Sequence, residues 1–94
     1  MQEMTEAQIQ SGIIKHYRSL GCLVLRLNSG RSQFNVWMCP PGTPDLLVLH
    51  PKDGLFWIEV KSPKGKLTHV QESLHKRLRE LGQTVYVMRE VPND

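Results

Sequence analysis

Two hydrophobic periods alternate along this chain. Ile9, Ile13, Ile14 and Tyr17 recur at helical spacing on a polar background. Ahead of them, Met4-Thr5-Glu6-Ala7-Gln8-Ile9 has the grammar of a helix start. Thr5 can cap, Gln8 completes a capping box, and Met4 and Ile9 are placed as a hydrophobic staple around it. With Gly21 as the stop, a first helix is predicted over about 6–20. Cys22 to Leu27 is then largely apolar and reads as a strand, ended by the turn chemistry of Asn28-Ser29-Gly30. Phe34 to Met38 can form a further short strand, but Cys39-Pro40-Pro41-Gly42-Thr43-Pro44 must be irregular, because proline lacks the donor that a central strand uses.

The second half is more regular. Asp45 to His50 is a strand, Pro51-Lys52-Asp53-Gly54 a hairpin turn, and Leu55 to Lys61 a third strand. Ser62-Pro63-Lys64-Gly65-Lys66 is a basic loop. Thr68 caps a second helix with Gln71 in the box position, Val70, Leu74, Leu78 and Leu81 form its apolar stripe, and Gly82 ends it. Thr84 to Met88 closes the chain as a strand. The predicted order is α-β-β-β-α-β, an α/β fold.

Composition narrows the class. At 94 residues the chain is read as a single domain with a thin core. Its two cysteines, Cys22 and Cys39, make no disulfide framework, and its four histidines, His16, His50, His69 and His75, show no zinc spacing and read as structural or surface residues. A reduced, intracellular setting is expected. The polar, acidic N-terminal stretch is not a signal peptide, and no apolar run approaches the ~18 residues that span a bilayer. The net charge of +3 permits a nucleic-acid partner without requiring one.

The third strand carries the chemistry. Alternation puts Phe56, Ile58 and Val60 on one face and Trp57, Glu59 and Lys61 on the other, so two charged side chains project from an otherwise apolar strand. Charged groups are seldom buried unless they are paired or bound to a metal. If the second and third strands form a hairpin, Asp45 at the start of one lies beside Glu59, Val60 and Lys61 at the end of the other. Two carboxylates so placed repel, and a divalent cation relieves them. An all-oxygen donor set suits Mg²⁺ or Mn²⁺, which keeps waters and binds substrate phosphate. Lys61 can then orient a water or stabilise developing charge. The plain alternative is a solvated Glu59–Lys61 pair on an exposed sheet face.

Gly42-Thr43-Pro44-Asp45, then Ile58-Glu59-Val60-Lys61-Ser62-Pro63-Lys64-Gly65-Lys66-Leu67-Thr68, then Gln71, resembles a VRR-NUC domain, the virus-type replication-repair branch of the PD-(D/E)xK nucleases. The resemblance extends to Glu6 and to Asn28-Ser29-Gly30, and so covers nearly the whole chain. It implies a restriction-endonuclease-like core with a mixed central sheet flanked by helices. It also implies roles: Asp45 and Glu59 as metal ligands, Val60 as a ligand through its backbone carbonyl, Lys61 as the catalytic lysine, Glu6 reaching the metal through a water, and Gln71 beside the catalytic cluster. Each has a simpler reading as well. Glu6 is favoured at any helix N-terminus, and Gln71 is accounted for by its capping box with Thr68. Asn28, Ser29 and Gly30 are accounted for as a turn. Arg31, Lys64 and Lys66 flank the proposed site and can hold phosphates, or are simply solvated. Trp37 and Trp57 read as packing residues.

Stand-alone members of this family look like phage or bacterial proteins similar to archaeal junction resolvases. The expectation is therefore a homodimeric, structure-selective DNA endonuclease acting on four-way junctions in a bacterial or phage-infected cytoplasm, with no membrane and no small-molecule cofactor involved. Flap, single-strand or nicking activity is the enzymatic alternative, and a catalytically silent DNA-binding module is the non-enzymatic one.

Overall fold

The computed structural model of the chain describes residues 3–27 and 39–93. The first helix, α1, runs over Glu6–Ser19. Its capping box is made as expected: Gln8 N–H donates to the Thr5 hydroxyl at 3.2 Å, and Thr5 N–H donates to Gln8 Oε1 at 2.8 Å. The strands β1 (Leu23–Arg26), β2 (Leu46–His50) and β3 (Gly54–Val60) follow, then α2 (His69–Glu80) and β4 (Val85–Met88). A second capping box, between Thr68 and Gln71, opens α2.

The four strands form one sheet in the order β1-β2-β3-β4. The β1–β2 and β2–β3 pairs are antiparallel and β3–β4 is parallel. Parallel neighbours need a crossover, and α2 supplies it. The β2–β3 hairpin closes with Gly54 at φ 77°, a left-handed position that glycine adopts without strain. His50 Nδ1 accepts N–H bonds from Lys52 and Asp53 at 3.0 and 3.1 Å and so braces the same turn. The expected mixed sheet flanked by helices is what the chain forms.

The core lies between α1 and one sheet face. Ile9, Ile13 and Ile14 pack with Cys22, Val24, Leu46, Val48, Phe56, Ile58 and Val60, and Tyr17 meets Phe56 edge-on at 5.5 Å. The alternation read from β3 holds, with Phe56, Ile58 and Val60 all on this buried face. Cys22 and Cys39 are free thiols. Among the described residues, no helix is long and apolar enough to cross a membrane.

The face that α2 turns inward departs from expectation. Val70 and Leu81 are 53% and 60% exposed, Leu74 and Leu78 are half-buried, and the fully buried residue of α2 is His75. His75 is thus no surface residue. Apolar spacing identifies a stripe, but the sheet under the helix decides which stripe faces in. Here that surface includes a buried acid, Glu59. The short strand expected over 34–38, the Asn28-Ser29-Gly30 turn, Arg31 and Trp37 lie outside the described residues.

One loop contact governs the start of β2. Gly42 has φ 89°, and a Cβ built there would stand 2.6 Å from the Val70 carbonyl oxygen in the first turn of α2. Pro44, two residues on, is fully buried. The chain entering β2 is therefore seated against α2. Gly42→Ala is expected to lower stability by about 1–3 kcal/mol, through backbone strain and the displaced helix, as measured by denaturant unfolding. An unchanged midpoint would show that this seat carries no stability.

Candidate active site

The hairpin register pairs Leu46 with Ile58. One step further along the same register places Asp45 opposite Glu59. Two backbone contacts fix Asp45 there: Leu27 N–H donates to its carbonyl at 2.8 Å, and Val60 N–H donates to its side-chain Oδ2 at 2.7 Å. The Asp45 carboxylate therefore clasps the end of β3 next to Glu59. Lys61 shares the Glu59 face, two residues on, and its N–H donates to the Met88 carbonyl at 3.0 Å, holding the strand end against β4.

Glu59 is 2% exposed, which excludes the solvated surface pair as its explanation. Burial is the largest cause pushing its pKa up to about 9, followed by a hydrogen bond with Asp45 and by the Asp45 charge. Lys61 opposes the rise and Glu6 adds to it. Glu6 in the first turn of α1, Asp45 and Lys61 are thus all within electrostatic reach of one buried carboxyl. With no cation bound, Glu59 therefore keeps its proton at neutral pH.

His75 completes the cluster. Its Nε2 lies 3.0 Å from Glu59 Oε1, and both side chains are buried. Burial, then the Arg79 charge, lowers the His75 pKa. The contact is therefore a hydrogen bond of a neutral imidazole rather than an ion pair. Its Nδ1 is buried without a partner. Gln71, expected beside the cluster, directs its Oε1 to Thr68 N–H at 3.0 Å in the capping box, and α2 reaches Glu59 through His75, one turn further on. Nothing in the apolar spacing of α2 pointed to His75. The available signal was that a buried Glu59 needs a polar partner on the helix crossing it.

The remaining residues are peripheral. Lys64 and Lys66 are exposed on the loop after β3. Arg89 Nη1 ties that loop down by donating to the Ser62 carbonyl at 3.0 Å and to the Gly65 carbonyl. Trp57 donates its indole N–H to Gln83 at 2.9 Å, a packing role as expected. Asn28, Ser29, Gly30 and Arg31 lie outside the described residues.

The donor set suits a hard cation. Among the described residues, no group of three or more His, Cys, Asp or Glu side chains stands in ligating array. What the strand ends offer is two adjacent carboxyl groups, one of them buried and pushed toward its neutral form. That is the short protein donor set from which Mg²⁺ retains waters and takes up phosphate. Burial beside Asp45 is what a cation would relieve.

The VRR-NUC domain model matches residues 4–92. The chain belongs to the VRR-NUC family. A solved structure of a VRR_NUC domain is similar to it at 31% identity and a TM-score of 0.74, covering 94% of this chain and 88% of that one. No curated protein matches. The VRR-NUC assignment makes this a nuclease-type domain with DNA as its class of substrate.

Two outcomes are expected in EDTA. The folded protein retains a proton on Glu59 that the unfolded chain releases above its ordinary carboxylate pKa. Stability should therefore fall as pH rises from about 4.5 to about 9, by up to ~1.4 kcal/mol per pH unit. Glu59→Gln should remove that slope and unfold later than wild type at pH 8, and a parallel pH dependence in both proteins would contradict the assignment. Asp45→Ala should lose about 1–3 kcal/mol by stripping Val60 N–H of its acceptor, while Asp45→Asn keeps the bond and the stability, as chemical denaturation can resolve.

Proposed function

We propose that this VRR-NUC domain is a Mg²⁺- or Mn²⁺-dependent endodeoxyribonuclease that hydrolyses phosphodiester bonds in branched DNA, four-way junctions first, as a homodimer. The observation that carries the reading is the buried Glu59 facing Asp45, with Lys61 on the same strand end. A buried acid set against a second carboxyl costs stability, and a cation-dependent reaction gives that cost a purpose.

Asp45 and Glu59, with the Val60 backbone carbonyl, would hold the cation, and Glu6 would reach it through a water. The cation would supply Lewis acidity at the scissile phosphate and lower the pKa of the attacking water. Lys61, half-buried beside Glu59, would orient that water or balance the negative charge that grows on the phosphate oxygens as the P–O bond to the leaving oxygen breaks. Gln71 would support this region from the start of α2. Lys64 and Lys66, on the loop held by Arg89, would contact backbone phosphates without reading sequence. Asn28, Ser29 and Gly30 are proposed for the same role by resemblance alone, and Arg31 because it follows them in the sequence as a basic residue flanking the site. The free thiols of Cys22 and Cys39 suit a reducing, intracellular setting.

Self-association is supported by two arguments. Symmetric cutting of a four-way junction needs paired sites, which a two-fold dimer provides. In addition, Leu23, Leu25, Leu49 and Leu55 are 39–56% exposed on the strand face away from α1, an apolar patch of the kind that association covers.

The test is cleavage of a synthetic four-way junction by wild type and Lys61→Ala, with Mn²⁺ and with EDTA. Paired symmetric nicks requiring both Mn²⁺ and Lys61 are expected, with activity lowered by at least ~100-fold in the variant. Cutting confined to flaps or single strands would keep the nuclease and remove the junction preference. Binding without cutting of any DNA would leave a silent DNA-binding module.

A further inference from the structure

We infer that His75 is a positioning residue for the metal site, donating Nε2–H to Glu59 Oε1 and thereby presenting the other carboxylate oxygen to the cation. The inference rests on the reading of Asp45 and Glu59 as the cation's ligands. It goes beyond that reading by adding a residue of α2 that touches neither metal nor DNA.

The argument is geometric. Glu59 and His75 are 2% and 0% exposed, so no solvent competes for the 3.0 Å bond between them. A glutamate side chain has free rotation about its last bonds, and a half-turn of the carboxylate exchanges its two oxygens. The imidazole removes that freedom by engaging one oxygen from the helix side. Asp45 meets the same carboxyl from the strand side. Glu59 is thus gripped between two neighbours, one contributed by the hairpin and one by the crossover helix.

The tautomer follows from the same contacts. Once a cation ionises Glu59, the carboxylate only accepts, so Nε2 must carry the proton. The unpartnered Nδ1 is then a bare lone pair. The alternative tautomer would point a lone pair at the carboxylate and bury an unbonded N–H. Ligating carboxylates held by such an outer hydrogen bond commonly lose ~10–100-fold in metal affinity when it is removed.

Two polar substitutions separate positioning from packing. The amide nitrogen of glutamine reaches about where histidine Nε2 lies, whereas that of asparagine stops short, near Nδ1. Mn²⁺ binding to wild type, His75→Gln and His75→Asn would be measured by titration calorimetry without DNA, with melting in EDTA recorded alongside. His75→Gln is expected to bind Mn²⁺ close to wild type, and His75→Asn about tenfold more weakly or worse. Equal affinity in all three proteins overturns the inference and leaves the metal reading standing. Equal weakening in both variants also overturns it, since the imidazole would then matter through its shape rather than its donor. Wild type that binds no Mn²⁺ overturns the metal reading and this inference with it.

Discussion

Much of the described structure serves to hold two carboxyl groups together, one of them buried where it resists ionisation. Asp45 immediately precedes β2 and Glu59 sits one residue from the end of β3, and the hairpin register carried one step on sets them opposite each other. The buried face beneath them, with α1 packed on it, sets the register that brings them level. A slip of one residue would turn Glu59 into the apolar core and Val60 toward the site. The core is thus also the device that aims the acids. Asp45 is pinned by the Val60 N–H, Glu59 by His75, and the chain leading into Asp45 by the seat of Gly42 on α2. Hairpin, helix and loop converge on one point.

This convergence explains why a small domain accepts an ionisable group at 2% exposure. Replacing Glu59 with an apolar residue would be the simpler way to fill the space. A buried acid whose pKa rises to about 9 is held away from its preferred ionised state. Stored electrostatic conflict of this kind is a recurrent property of functional sites. Membership of the VRR-NUC family gives it a direction, because a nuclease-type domain has a use for such a site.

Much of this was legible in the residues. Thr5 with Gln8 and Thr68 with Gln71 announce both helix starts, because a capping box is a local exchange of hydrogen bonds that needs no tertiary partner. Asp53-Gly54 announces the hairpin for the same reason. The alternation in β3 placed Glu59 and Lys61 on one face, and the hairpin brought Asp45 to them. The family pattern in Gly42 to Asp45 and Ile58 to Gln71 was equally readable. The orientation of α2 was not. Val70 and Leu81 have the spacing of a buried stripe yet are exposed, while His75 is fully buried. Helical periodicity reports which residues share a face, but not what that face must satisfy across a crossover. A buried carboxylate on the sheet outweighed two aliphatic side chains in choosing what points inward. Gln71, placed beside the cluster by resemblance, has its Oε1 in the capping box that its spacing from Thr68 announced.

The most direct test of the Asp45–Glu59 pairing is a count of the protons released when a divalent cation binds. Calorimetric titration of Mn²⁺ into the wild-type protein at pH 7.5, repeated in buffers of different ionisation enthalpy, gives that number. If Glu59 keeps a proton that the cation displaces, close to one proton should leave per binding event, and Glu59→Gln should release none. Binding with no proton release in the wild type would contradict the account, because Glu59 would then already be ionised, or the cation would sit elsewhere.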